Sequence, residues 1–465
     1  MSGAPSAREA LPAWVETLRS ALPAGRVVTD PDLLEGVCHD EARFTEAGHP
    51  AALVRPASTS EVQEVLRIAQ DARVPVVPRG AGSGLAGGAN AVEGCLVLSL
   101  LAMNRILEID RRSLIAVAQP GVVNADLGAA ARAEGLWYPP DPASFETSTL
   151  GGNVATNAGG LCCVKYGVTG DSVLGLEVVL AGGRALRAGR RSLKGVAGYD
   201  LTRLLVGSEG TLGVVTEITL RLRPRPRPAA TLAAFFPTLA AAGEAVTSIV
   251  DRLTPSLLEL MDRRTVRAVE ALEPMDLDTE AAALLFARSD AGGAEGAAEA
   301  EAMEACCQAA GASFVATTAE AGEGEMMLAA RRLAYPALER QGAALLDDVA
   351  VPVGRLAELL SAIERIAEEQ GVEIGTFGHA GDGNMHPTIV FDPRDPDSEE
   401  RARSAFDAIV ARTLELGGTV TGEHGVGLLK RGHLEREIGP VGLELHRAIK
   451  AAFDPNGILN PGKLF

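Results

Sequence analysis

Lysine is nearly missing from this chain. Only five of its 43 basic residues are Lys, and the 43 face 61 Asp and Glu, for a net charge of −18. That deficit disfavours nucleic acid and anionic membranes as partners, because phosphate binding needs a basic surface. Cysteine is scarce too: two adjacent pairs, Cys162-Cys163 and Cys306-Cys307, and two singles, Cys38 and Cys95. None has the Cys-x-x-Cys spacing of a zinc or iron–sulfur site, so electrons cannot pass to such a cluster within this chain. Reduced thiols in a cytoplasmic protein are the expectation. Long apolar runs are also missing. The hydrophobic stretches are cut by Gly, Pro or charge, so no membrane-spanning helix is expected. Residues 1–9 lack the basic flank and apolar core of a signal peptide. What remains is an ordinary globular composition, 47% hydrophobic and 22% charged over 465 residues, with length for roughly two to four domains.

The first 45 residues read as helices, over 8–20 and 31–39. From residue 51 strands and helices alternate. Strands are predicted over 51–55, 74–77, 95–98, 106–109, 114–117, 174–180 and 214–222, with an amphipathic helix over 62–72 started at Thr59 or Ser60. Arg223-Pro224-Arg225-Pro226-Arg227-Pro228 then forces an extended backbone that continues neither helix nor central strand, which marks a domain boundary. Beyond it, strands over 231–236, 257–261, 283–287, 313–316, 344–350 and 373–377 alternate with Ala-rich helices such as 239–253 and 355–370. That is the pattern of an α+β domain with an antiparallel sheet under helices. The acidic stretch 290–304 reads as a solvated helix and its loop.

Four of the chemistry-bearing side chains fall late. The segment Gly378-His379-Ala380-Gly381-Asp382-Gly383-Asn384-Met385-His386 is followed by Thr421-Gly422-Glu423-His424-Gly425, in a chain with seven His. Asp382-Gly383 between two β-prone runs is a hairpin signal. A turn at that pair sets His379 opposite His386, with Cβ atoms about 5 Å apart on one face of the ribbon. Two imidazoles so placed can share an ion, although such a pair also occurs as surface hydrogen bonding. A purely structural zinc would bring cysteine ligands, and none of the six lies here.

Three glycine loops precede this hairpin. Pro78-Arg79-Gly80-Ala81-Gly82-Ser83-Gly84-Leu85-Ala86-Gly87-Gly88-Ala89 follows a predicted strand, and its small residues let backbone N–H groups converge on an anion. It lacks the third glycine, the following helix and the downstream acid of a nicotinamide-binding unit. A second loop runs Thr149-Leu150-Gly151-Gly152-Asn153-Val154-Ala155-Thr156-Asn157-Ala158-Gly159-Gly160, and a third runs Gly207-Ser208-Glu209-Gly210-Thr211-Leu212-Gly213. Three such loops suit a long ligand approached by backbone at several points, a dinucleotide rather than a mononucleotide.

These loops, together with Asn460-Pro461-Gly462-Lys463, resemble the vanillyl-alcohol-oxidase/PCMH-type FAD-binding fold. The second half is similar to the C-terminal domain of FAD-linked D-2-hydroxyacid dehydrogenases, the family of D-lactate dehydrogenase, the flavin subunit of glycolate oxidase and D-2-hydroxyglutarate dehydrogenase. The likeness spans residues 51–465. It implies an α+β fold divided into an N-terminal helical segment (1–45), an FAD-binding domain (46–225), a substrate or cap domain with an antiparallel sheet (226–415), and a C-terminal segment returning to the flavin domain (416–465). It implies that FAD is held by Pro78, Arg79, Gly80, Ala81, Gly82, Ser83, Gly84, Leu85, Gly88 and Ala89, by Pro140, Asp141, Ser144, Thr149, Gly151, Gly152 and Asn157, by Glu209, Gly213 and Val214, and by Asn460. Members with covalent flavin often carry His in the first loop. Ser83 stands at the comparable place here, so non-covalent FAD is expected.

The same resemblance implies His379, His386 and Glu423 as ligands of a divalent metal and His424 as the catalytic base. Zn²⁺ is the expectation from ligand type, with Mn²⁺ and Fe²⁺ open. A carboxylate-binding arginine is implied within Arg331-Arg332-Leu333-Ala334-Tyr335; Arg331 is the choice and Arg332 the competitor, with Tyr335 assisting. Residues 345–349 lack a lysine of the kind the 2-hydroxyglutarate branch carries, which favours a short substrate, D-lactate or glycolate. The activity so implied is oxidation of a D-2-hydroxy acid to the 2-oxo acid. Electrons would leave to a quinone, an electron-transfer flavoprotein or a separate iron–sulfur subunit, and self-association is left open. The competing readings are D-2-hydroxyglutarate dehydrogenase, a same-fold oxidase or alkyl-transferring synthase, and an inactive FAD-binding electron-transfer subunit.

Overall fold

The computed structural model describes residues 11–42 and 44–465. The first predicted helix is Ala13–Ala21, its residues 8–10 lying outside the described ones. The second is only Pro31–Glu35, capped by the Asp30 side chain and ended at Gly36.

A four-stranded sheet follows, in the order Val27–Val28, Ala52–Val54, Leu96–Ser99, Val76–Arg79. Its last three strands are parallel, so a crossover must join Ala52–Val54 to Val76–Arg79. The helix Thr59–Ala72 makes it. Val62, Val65, Leu66, Ile68 and Ala69 form its buried stripe. Its cap lies one residue before the expected start: Ser58 Oγ accepts the Glu61 N–H at 3.2 Å, and the Glu61 carboxylate accepts the Ala57 N–H at 2.9 Å.

A five-stranded antiparallel sheet takes the order Ile106–Asp110, Ile115–Ala118, Val214–Arg221, Val173–Val179, Ala185–Gly189. The proline repeat begins with a two-residue ribbon, Arg223–Pro224 against Leu136–Trp137, and the next sheet starts at Ala230. That sheet has eight strands, all antiparallel. Phe314–Thr318, Ala230–Phe236, Ala283–Ser289, Leu257–Asp262, Glu373–His379, Asn384–Phe391 and Ala343–Leu346 lie in sequence, and Val349–Ala350 also pairs with Asn384–Phe391. The predicted single strand over 344–350 is thus two pieces, broken at Asp347-Asp348, whose carboxylates are fully buried and engaged elsewhere.

Both faces of this sheet are covered. Helices Leu239–Arg252, Leu356–Gln370 and Pro396–Glu415 pack on one face; Arg263–Leu272, Ala321–Arg332 and Ala334–Glu339 pack on the other. Leu257–Asp262 accordingly sends Leu258 and Leu260 to the first core and Leu257 and Met261 to the second. After the helix Arg431–Phe453, bent at Gly439 (φ 72°), the chain returns to the first sheet. Leu459 bridges Val76, whose N–H donates to Ile458 O at 2.8 Å and whose carbonyl accepts the Asn460 N–H at 2.8 Å.

Candidate active site

The hairpin carrying His379 and His386 joins Glu373–His379 to Asn384–Phe391. Its register corrects the expected pairing. His379 stands opposite Asn384, and His386 opposite Phe377. The turn is therefore four residues, 380–383, rather than the pair Asp382-Gly383. The neighbouring strand captures the turn: Gly381 N–H donates to Leu258 O at 3.0 Å, so Gly381 cannot pair with Asn384. A slip of two residues preserves the side-chain face. The histidines are diagonal neighbours on one face, with ring centroids 5.2 Å apart and planes at 87°.

Glu423 enters from the segment after Pro396–Glu415. Its Oε1 lies 3.3 Å from His379 Nε2 and 3.3 Å from His386 Nε2. His424 stacks on His386 with centroids 5.1 Å apart and planes 9° from parallel. Asp348 shapes this corner. Its Oδ2 accepts the N–H groups of Glu423 (2.9 Å) and His424 (2.8 Å) and the Thr421 hydroxyl (2.7 Å), while Oδ1 accepts Asn384 Nδ2 at 2.7 Å. The fully buried Lys430 ties the same segment down, bonding Asp347 Oδ1 at 2.7 Å and Val420 O at 2.6 Å.

Three ligand atoms from His379, His386 and Glu423 lie within 4.8 Å of one another. Two imidazole nitrogens and a carboxylate oxygen converging on one point form a donor set that fits a divalent metal with open positions. The surroundings fit as well. The far nitrogen of His379, Nδ1, lies 2.7 Å from Glu259 Oε1, the carboxylate backing that orients a ligating imidazole. His386 Nδ1 is buried without a hydrogen-bond partner, 3.8 Å from Asp348 Oδ1. Asp348, His386 and His424 make an overlapping trio, but Asp348 Oδ2 already serves three donors.

The electrostatics follow from the crowding. Burial pulls the His379 pKa down, but Glu259 and Glu423 outweigh it and hold the group well above its usual range. Burial pushes the Glu423 carboxyl up, yet His379 and His386 beside it hold it well below the usual carboxylate range. A cation is thus favoured between them, whether a proton or a metal. His424 differs: burial lowers its pKa to about 4 against the pull of Asp348, leaving a neutral imidazole at neutral pH.

Arg331, buried near the end of Ala321–Arg332, donates from Nε to Glu259 Oε2 at 2.7 Å, and its guanidinium carbon lies 4.8 Å from the Phe377 ring centre. Arg332 turns to Glu325 at 2.6 Å. The two arginines are thereby told apart by geometry.

A single cavity of about 1030 Å³ joins this cluster to the glycine loops. Arg331, Tyr335, His379, His386, Glu423 and His424 line one end. All ten residues expected from the first loop line it, as do Asp141, Ser144, Thr149, Gly151, Gly152, Glu209, Gly213 and Val214. At some loop glycines there is no room for a side chain: a Cβ on Gly80 would stand 2.4 Å from Thr149 Oγ1, and one on Gly213 2.3 Å from Val178 Cγ1. This backbone-walled trough fits an extended dinucleotide such as FAD.

Three expected cofactor residues lie behind the wall. Pro140 gives its carbonyl to Asn124 Nδ2; Asn157 closes the helix Leu150–Thr156 in the left-handed region (φ 55°) and accepts the Gly170 N–H; Asn460 Nδ2 bonds Gly88 O and Glu209 O. They brace the loops rather than line the cavity. Residues unforeseen from sequence are Glu259, Asp348 and Lys430; Gly159, within the second loop, has a further task, since a Cβ there would meet Glu423 Oε2 at 2.2 Å. A lone acid inside the apolar run Leu257-Leu258-Glu259-Leu260-Met261 was the available signal for the first.

Comparison with known proteins agrees over nearly the whole chain. Residues 50–189 match the family described as FAD binding domain, and residues 225–464 match FAD linked oxidases, C-terminal domain. The glycolate oxidase subunit GlcD of Bacillus subtilis (strain 168) is 46% identical over 418 residues, covering 90% of this chain and 89% of that protein. A D-lactate dehydrogenase of Anaerostipes hadrus is 35% identical, covering 97% of each. Among solved structures, p-cresol methylhydroxylase with substrate bound superposes with a TM-score of 0.82 at 20% identity, covering 97% of this chain and 96% of that one, a likeness of fold alone.

Proposed function

From a chain that belongs to the FAD-linked oxidase family, and is an FAD-linked oxidoreductase of the D-lactate dehydrogenase and glycolate oxidase type, we propose a metal-assisted oxidation of a short D-2-hydroxy acid to the 2-oxo acid. The observation that carries this reading is the meeting of His379, His386 and Glu423 with His424 and Arg331 at one end of the flavin cavity.

Arg331 binds the substrate carboxylate. Its Nε is committed to Glu259, so the terminal nitrogens are the ones left to make the planar fork a carboxylate accepts. His424, neutral and stacked on His386, takes the hydroxyl proton on Nε2 or Nδ1. Asp348 keeps the His424 backbone in place during that transfer. His379, His386 and Glu423 would hold a divalent metal, which would supply Lewis acidity at the substrate hydroxyl. The glycine-loop trough would hold FAD, which would supply the redox chemistry for the substrate Cα.

The apolar part of the lining bears on substrate length. Leu346 and Phe377 line the cavity, no lysine occurs over 345–349, and Arg332 is engaged by Glu325. An apolar wall suits the hydrogen of glycolate or the methyl of D-lactate better than a second carboxylate. Electrons pass to an acceptor other than a nicotinamide nucleotide: a quinone, an electron-transfer flavoprotein or a separate iron–sulfur subunit. Among the described residues no helix is long and apolar enough to cross a membrane.

Anaerobic mixing tests the reading. D-lactate or glycolate should bleach the flavin absorbance, L-lactate and D-2-hydroxyglutarate should not, and a chelator should abolish bleaching until Zn²⁺ or Mn²⁺ is restored. Metal-loaded yellow protein that no 2-hydroxy acid reduces would sink it.

A further inference from the structure

Glu259 is fully buried on Leu257–Asp262, directly opposite His379 in the sheet register. Its strand neighbours on the same face, Leu257 and Met261, belong to the apolar core beneath Arg263–Leu272. A carboxylate is costly in such a place unless both oxygens are satisfied. Both are, and by groups with different tasks. Oε2 accepts from Arg331 Nε at 2.7 Å and Oε1 sits 2.7 Å from His379 Nδ1. Phe377, two residues before His379 on the same strand, lies under the Arg331 guanidinium. Arg331, Glu259 and His379 therefore form one chain of contacts from the substrate-facing cation to the metal-facing imidazole.

We propose that Glu259 is a positioning residue that couples the carboxylate clamp to the metal centre, so that setting one sets the other. The inference rests on the function proposed above. Accepting from Nδ1–H holds the ring so that Nε2, 3.3 Å from Glu423 Oε1, is the nitrogen that would face a metal. Accepting from Arg331 Nε fixes the guanidinium through one nitrogen and leaves the terminal pair for the substrate. One carboxylate does both; an amide in its place has one acceptor oxygen, so it either loses Arg331 or turns its NH2 to Nδ1 and drives the ring to the tautomer with its proton on Nε2. Metal affinity and substrate affinity are thereby linked without either ligand touching Glu259.

A double-mutant cycle on metal-free, FAD-loaded protein tests this, with Mn²⁺ as the probe and D-lactate or glycolate, whichever reduces the wild type, as substrate. Glu259→Gln should weaken Mn²⁺ roughly 10–100-fold and, at saturating metal, raise KM more than it lowers kcat. Arg331→Met, which removes no metal-facing atom, should shift the Mn²⁺ constant in the wild-type background and leave it unmoved when Glu259 is already Gln. A merely structural role would change melting temperature and FAD content without that non-additivity. If Arg331→Met leaves Mn²⁺ binding alone, or shifts it equally in both backgrounds, the coupling is overturned. Should Glu259→Gln not fold, Glu259→Asp keeps the charge with a shorter reach and enters the same cycle, where reduced coupling is expected and full coupling overturns the proposal. Wild-type protein that binds no Mn²⁺ and is reduced by neither acid overturns the parent reading as well, and that failure appears before any variant is made.

Discussion

At the scale of single residues, His424 is the group whose removal should cost chemistry and little else. Its side chain stacks on His386, while its backbone, which substitution leaves alone, is what Asp348 holds. His424→Ala should keep FAD and metal while slowing anaerobic flavin reduction by about 10²–10⁴-fold; reduction at the wild-type rate would remove it as the base. The late histidines His379, His386 and His424 were legible because His is rare here and their glycine settings are unusual, while Glu423 was marked by its place beside His424 and by the family resemblance. Glu259 left only the mark of a lone acid in an apolar run and Asp348 none; what each does depends on segments more than seventy residues away, His379 for one and the Glu423-His424 backbone for the other. Long-range pairing leaves no local periodicity to read.

At the scale of elements, strand positions were read well and register poorly. Alternation and turn residues fixed Glu373–His379 to within a residue or two, but the hairpin turn was decided by a third strand through Leu258 O. The same holds at 344–350, where β-prone residues give way to a break that buries two acids. The turn offers its own test. Gly383 sits at φ +80°, and a Cβ there would stand 2.1 Å from Val351 O. Gly383→Ala should destabilise the protein by about 1–3 kcal/mol and weaken metal binding, as followed by thermal melting and Mn²⁺ titration. Unchanged melting and metal affinity would show that the turn does not set the histidine pair.

At the scale of the whole molecule, the segment between Thr419 and Leu459 contacts both the eight-stranded sheet and the glycine loops. Glu209, in the third glycine loop, accepts the N–H groups of Val426 (2.8 Å) and Gly427 (2.9 Å) just beyond Glu423-His424. Burial raises its pKa from an ordinary 4.5 to about 7, against those two bonds. The folded protein then holds a proton that the unfolded chain has lost, so this contribution is complete below pH of about 4.5 and disappears as pH rises through about 7. Melting temperatures across that window should decline more steeply for wild type than for Glu209→Gln, whose overall stability is lower but whose side chain does not titrate; parallel profiles would reject the assignment. The return of Leu459 to Val76 also bears on synthesis order. A growing chain makes its glycine loops early, but the strand that carries Arg79 stays open along one edge until almost the last residues have emerged. Glu423 and His424 arrive in the same late stretch. A nascent or prematurely ended chain therefore lacks both the partner of Val76 and the segment that sets Glu423 against His379 and His386.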